Sequence, residues 1–159
     1  MGLTDPVKRN GLRLWWAVPV GLALATSASA SDLEAVQQLR LCVNGGQDDP
    51  VVQCEMAAKS GLDPANRAIA YTLLGLYLEP GIEEEEFERM TRAEASYRKA
   101  LNASPQAALA AYRLGRLLAD RGQDAEALVW LDRAAALNPD WAVVHALRAR
   151  VLWSLKRPD

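Results

Sequence analysis

The stretch AEASYRKALNASP, residues 93–105, recurs 34 residues later as ALVWLDRAAALNP, residues 127–139. Both copies hold a small residue, a large apolar residue, a second small residue and a proline at equal offsets, filled first by Ala93, Tyr97, Ala100 and Pro105 and then by Ala127, Leu131, Ala134 and Pro139. A fixed period of this length is typical of architectures built from stacked helical units. The repeat therefore favours a scaffold over a single enzyme-like core.

The period resolves into pairs of helices. Residues 107–120 and 124–137 each carry apolar residues at helical spacing, and Gly122 in the turn between them suits a helix C-terminus. Gly115 and Ala127 are expected to face each other across that turn, where their small size lets two antiparallel helices approach closely. A proline closes each copy because it has no amide hydrogen with which to continue the helix.

This pattern resembles the tetratricopeptide repeat. In that family the first helix carries a large residue, Leu-Gly and an apolar residue, and the second carries Ala, an aromatic residue, Ala and a closing Pro. The first copy here supplies Tyr71, Leu74, Gly75, Leu78, Ala93, Tyr97, Ala100 and Pro105, and the second supplies Ala111, Leu114, Gly115, Leu118, Ala127, Leu131, Ala134 and Pro139. The match covers residues 66–140 and departs from the pattern at Ala111 and Leu131, which are both apolar.

The resemblance implies an all-α fold, in which antiparallel helix pairs stack as a short right-handed solenoid with about seven helices after the leader. It also implies that the protein binds peptides or partner domains. Residues 31–159 are expected to comprise four units. These are a degenerate pair (31–64), a repeat with an insertion (65–105), a second repeat (106–139) and a capping helix (140–157).

The degenerate pair is predicted from weaker signals. A helix capped by Ser31 or Asp32 is expected to run to about Val43, and a second helix is expected to begin at Asp49-Pro50. The predicted buried faces hold Leu33, Val36, Leu39 and Val43 on the first helix, and Val51, Cys54, Met56 and Ala57 on the second.

The first repeat contains six extra residues, because Gly75 and Ala93 are 18 residues apart whereas Gly115 and Ala127 are 12 apart. Pro80-Gly81 should end the first helix. The four glutamates that follow are predicted to open the next helix early, near Glu83, where the helix dipole favours negative charge. One interpretation is that they form a solvated, acidic helix start. The other is that they recognise a basic partner or weakly bind a cation. The four residues are Glu83, Glu84, Glu85 and Glu86.

The N-terminus has the features of a secretory signal peptide. Lys8, Arg9 and Arg13 precede an apolar run over residues 14–25, and Ala28-Ser29-Ala30 provides small residues for cleavage. Residues 1–30 are therefore expected to be removed, which would leave Ser31 first and a protein exported to the bacterial periplasm. A retained membrane anchor is the alternative, but the run is shorter than the ~20 residues that a spanning helix needs, so no stable membrane insertion is expected after cleavage.

Charge argues against a nucleic-acid partner. Residues 31–159 carry 15 basic and 19 acidic residues, whereas nucleic-acid binding depends on clustered Lys and Arg. The sequence shows no phosphate-binding glycine loop, catalytic triad or His-Cys cluster. His145 is assigned to packing, because it occupies the position of Tyr71 and Ala111. We therefore predict a protein without catalytic residues, cofactor or metal.

Cys42 and Cys54 are the two cysteines of the chain. In an exported protein an even pair is most simply a structural disulfide. Two buried thiols are the alternative, and a redox role lacks the Cys-x-x-Cys spacing.

Two classes of function follow. The first is a periplasmic scaffold that binds a protein or peptide segment in a concave groove built by the first helix of each pair. Arg67 and Arg113 are candidates for gripping a carboxylate, unless they are ordinary solvated arginines. The predicted groove residues are Asn66, Arg67, Ala70, Thr72, Gln106, Leu109, Ala110 and Arg113. The second class is a structural subunit of an envelope or secretion assembly that docks through its terminal helix.

Overall fold

The computed structural model describes residues 30–44, 49–79 and 86–156 of the chain, and every regular element in these ranges is an α-helix. The prediction of an all-α fold with seven helices is confirmed for this part of the chain. The helices are α1 (Ala30–Asn44), α2 (Pro50–Lys59), α3 (Pro64–Leu78), α4 (Glu86–Ala103), α5 (Ala108–Asp120), α6 (Asp124–Leu137) and α7 (Ala142–Leu155).

Consecutive helices pack in pairs, and the pairs stack along the chain. The most extensive contacts join α3 to α4 and α5 to α6, and smaller ones join α2 to α3, α4 to α5 and α6 to α7. A continuous apolar core runs through the stack, as expected when each pair covers the open side of its neighbour.

Local sequence signals set the helix boundaries. Asp49 and Asp63 cap α2 and α3: the Asp49 carboxylate accepts the Val51 amide at 2.8 Å, and the Asp63 carboxylate accepts the amides of Ala65 and Asn66 at 3.0 and 3.1 Å. The hydrogen bond from the Asn66 amide is the main cause of the lowered pKa of Asp63. Gly122 has a φ of 73° just after α5, a backbone conformation that favours glycine.

Two glycines set the spacing within the pairs. A Cβ atom on Gly75 would lie 2.7 Å from Cζ of Tyr97, and one on Gly115 would lie 2.8 Å from Cγ of Leu131 and 3.2 Å from the Ala127 carbonyl oxygen. In each of these two pairs, the large side chain of the second helix therefore packs directly against the glycine backbone of the first helix. The eight packing positions expected from the repeats are all buried, at Gly75, Ala93, Tyr97, Ala100, Gly115, Ala127, Leu131 and Ala134.

A disulfide joins the two helices of the N-terminal pair. Cys42 of α1 and Cys54 of α2 are bonded, with an S–S distance of 2.05 Å, and both residues are fully buried. The Tyr77 hydroxyl of α3 donates a hydrogen bond to the Cys42 carbonyl at 3.4 Å, which links the bonded pair to the next one.

The predicted apolar faces of this N-terminal pair are wrong in part. On α1 the buried residues are Ala35 and Cys42, whereas on the predicted faces Leu33, Val36, Val43 and Met56 are exposed. The disulfide places Cys42 at the contact with α2, and Ala35 lies two turns earlier on the same face of α1. The larger apolar residues consequently turn away from the core, where no other described helix covers them.

The insertion lies between α3 and α4. Helix α3 ends at Leu78 and α4 begins at Glu86. The predicted early start near Glu83 and three of the four consecutive glutamates fall on residues 80–85, outside the described residues. Glu86 is the first residue of α4.

Helix α7 packs on α6 through Val144, Leu147 and Val151. Two of its arginines face water and form surface ion pairs there: Arg148 with Asp132 of α6, and Arg150 with Asp120 of α5 at 3.1 Å.

Replacing Gly115 with Leu should destabilise the protein by about 1–3 kcal/mol, because the new side chain would overlap Leu131. Helix propensity alone predicts the opposite sign, with a gain of about 0.8 kcal/mol. The matched control is Gly61→Leu, since a Cβ atom there meets nothing within 4 Å, and it should be nearly neutral. Thermal melting of both variants measures the difference, and a Gly115→Leu protein that melts above the wild type would contradict the packing described here.

Candidate functional site

A groove lies between the N-terminal halves of α3 and α5. Its volume is about 410 Å³, and the side chains that line it are apolar or uncharged. Among its large apolar residues, Ile69 and Leu109 are exposed, at 47% and 37%. The other lining residues are Ala65, Ala68, Thr72, Leu73, Ser104, Gln106, Ala107 and Ala108.

The structure places three of the predicted groove residues, Thr72, Gln106 and Leu109, on this surface. Thr72 is nearly buried, and its hydroxyl donates to the Ala68 carbonyl at 2.7 Å. Ala70 and Ala110 were predicted to point outward, and that prediction is wrong because both are fully buried. Helical spacing alone does not separate the groove side of a first helix from the side that packs on the neighbouring pair, and alanine fits either.

The hydrogen bonds of Asn66, Arg67 and Arg113 all go to groups of this chain. The Asn66 side-chain amide donates to the Asp63 carboxylate at 2.5 Å, and Arg67 donates to the Leu62 carbonyl at 2.7 Å. Arg113 donates to the Glu79 carboxylate at 3.0 Å. Arg113 is therefore engaged by a carboxylate of its own chain, whereas the bond of Arg67 uses one of its five guanidinium N–H donors, and its role in gripping a partner's carboxylate stays a prediction.

Glu79 links three helices. Its carboxylate, at the end of α3, accepts the Tyr97 hydroxyl of α4 at 2.5 Å and forms ion pairs with Arg113 and Arg116 of α5. The Glu79 side chain is only 14% exposed. Two cations on one shielded carboxylate form a stronger linkage than an exposed ion pair does.

These surroundings shift the pKa of the Tyr97 hydroxyl. Burial, followed by the hydrogen bond to Glu79, raises the pKa of the Tyr97 hydroxyl. The neutral hydroxyl donor is thus retained throughout the physiological pH range. The role of Glu79 was missed in the sequence, where the two arginines at i and i+3 on α5 were the available signal for a shared acidic partner.

His145 does not serve packing, contrary to the prediction. It is exposed, and its Nε2 lies 2.7 Å from the Pro139 carbonyl oxygen. On α5 this face of the helix is covered by α6. On α7 no further described helix covers the corresponding face, so a polar residue is tolerated there. Across the described ranges, His, Cys, Asp and Glu side chains do not gather into a group that would hold a metal ion.

The helices described here are also poor candidates for crossing a bilayer. Among residues 30–44, 49–79 and 86–156, none combines the length and the apolar character that such a crossing requires.

Replacing Glu79 with Ala should cost about 1–3 kcal/mol of stability, because it leaves the Tyr97 hydroxyl and two arginines without their shared acceptor. Glu126 provides the matched control: it accepts a hydrogen bond from Arg98 at 2.7 Å, which lowers its pKa, but it is exposed. Glu126→Ala should therefore cost less than about 1 kcal/mol. Urea unfolding of both variants decides the point, and equal losses would show that Glu79 is an ordinary surface acid.

Comparison with known proteins agrees with this architecture. Residues 86–151, which span α4 to most of α7, match the tetratricopeptide repeat family. A search of curated proteins finds no significant match to the chain. Tetratricopeptide repeats generally form non-catalytic scaffolds for protein–protein interaction. The helix pairs, their glycine contacts and the family match together identify tetratricopeptide repeats in this chain over residues 86–151.

Proposed function

We propose that this chain is an exported protein-binding module whose groove between α3 and α5 receives an apolar segment of a partner protein. The observation that carries the proposal is the groove itself, because Ile69 and Leu109 expose apolar surface at a concave site without charged lining residues. Concave apolar surface rimmed by a few polar groups is the usual form of a binding site.

The chemistry of the groove defines the kind of segment that fits. A volume of about 410 Å³ accommodates one or two large apolar side chains. Burial of one such side chain contributes about 1.5–3 kcal/mol. Thr72 already bonds within its own helix, whereas Ser104 and Gln106 are placed to meet the backbone of the bound segment. An uncharged segment with apolar anchors is therefore favoured over an acidic one.

Placing a charge in the groove should abolish binding. Capture from envelope extract with the wild-type protein identifies the partner, and calorimetry then gives its affinity for each variant. Ile69→Asp and Leu109→Asp should each weaken binding at least tenfold, since an unpaired charge would be buried against the partner's apolar anchor. Val129→Asp on α6 is the control, because Val129 is exposed but lies outside the groove.

Wild-type affinity in both groove variants, at unchanged melting temperature, would refute this site. A second candidate function is then docking of the terminal helix onto an envelope assembly, which the exposure of Trp153, at 67%, favours. A Trp153→Ser variant in the same capture experiment separates the two, because it should lose the partner only if α7 is the docking element.

Export to the periplasm is supported by two features. The leader has the charge, apolar run and small residues of a cleavable signal, and the Cys42–Cys54 disulfide suits an oxidising compartment. Both features belong to the same end of the chain, where the leader precedes the disulfide-bonded pair.

Protein recovered from the producing cell should begin at Ser31 and carry no free thiol, as measured by intact mass with and without alkylation. Reduction should lower its stability by about 3 kcal/mol, the value expected for a loop of this size, and should leave a Cys42→Ala/Cys54→Ala double variant unaffected. An intact chain from Met1 with two reactive thiols would contradict export.

A further inference from the structure

A second pocket lies on another face of α3, where α2 and α4 pack against it. Its volume is about 180 Å³, and Tyr71, Leu74 and Leu78 of α3 and Ala95 of α4 supply its apolar walls. Lys59 from α2, and Arg92 and Lys99 from α4, bring positive charge to it. This pocket shares no lining residue with the groove between α3 and α5.

The positive charges at this pocket outnumber the negative ones. Glu55 is the acidic residue among its lining, and it pairs with Arg92 at 3.2 Å and with Lys59 at 3.6 Å. Lys99 instead lies over the Tyr71 ring, 5.7 Å from its centroid. Three cations and one carboxylate leave an excess of two positive charges beside apolar walls, and this excess attracts an anion.

We infer that this pocket binds an oxyanion, either the phosphate or the carboxylate of a small ligand or of a partner's side chain. Arg92 and Lys99 supply the charge-assisted hydrogen bonds, and Glu55 competes with the ligand for Arg92 and Lys59. Because of this competition, removal of the negative charge of Glu55 should increase the affinity of the pocket for the anion.

The test is an NMR titration of the full mature protein with inorganic phosphate at constant ionic strength. Backbone amides around Ser96 and Lys99 should shift and saturate. Lys99→Gln and Arg92→Gln should weaken binding about tenfold, the effect of losing one charge-assisted hydrogen bond. Glu55→Gln should tighten it severalfold. Lys156→Gln, at the far end of α7, removes a positive charge outside the pocket and should change nothing.

A second titration with a blocked aspartate peptide identifies the source of the anion. Competition of the peptide with phosphate indicates an acidic segment of a partner, whereas binding of phosphate alone indicates a free phosphate or a phosphate headgroup. Shifts that fail to saturate and are equal in all variants would overturn the inference, because they would reflect general screening. Weaker binding by Glu55→Gln would also overturn it.

Discussion

The stack depends on one side chain, Tyr97, and on the two groups of α3 that it meets. Its ring lies against the bare backbone of Gly75, and its hydroxyl donates to Glu79 four residues later. Glu79 in turn holds Arg113 and Arg116 of the next pair. A single buried residue therefore fixes both the spacing within one pair and the linkage to its successor.

Further ion pairs join α4 to the next pair of helices. Arg121 pairs with Glu94 in a contact as shielded as the Glu79 cluster, whereas Arg98 pairs with Glu126 in a more exposed one. Exposed pairs contribute little stability individually but disfavour a slipped register. At the N-terminal end, where small residues give a thin core, the disulfide supplies the constraint that Tyr97 and Leu131 provide elsewhere.

Periodicity made the helix pairs predictable, since Gly115 and Leu131 recur at offsets that a single packing geometry explains. Which face of a helix points toward the core was less predictable. Cys42 and the small Ala35 turned inward while Leu33 stayed exposed, because a covalent bond outweighed the area that the larger side chain would bury. The partner of Arg113 could not be predicted either, since Glu79 is 34 residues away and only the stacking of pairs brings the two together.

Internal pairing also decides which surfaces remain available to a partner. Arg113 looked suited to an acidic ligand in the sequence, but its hydrogen bond to Glu79 converts it into a supporting residue and leaves the adjacent groove without free charge. On another face of α3 the balance is reversed, because Glu55 is shared between two cations and Lys99 forms no ion pair with a described acid. Helix α3 thus separates an apolar surface from a cationic one, and a partner with both an apolar anchor and an acidic group would match the two surfaces together.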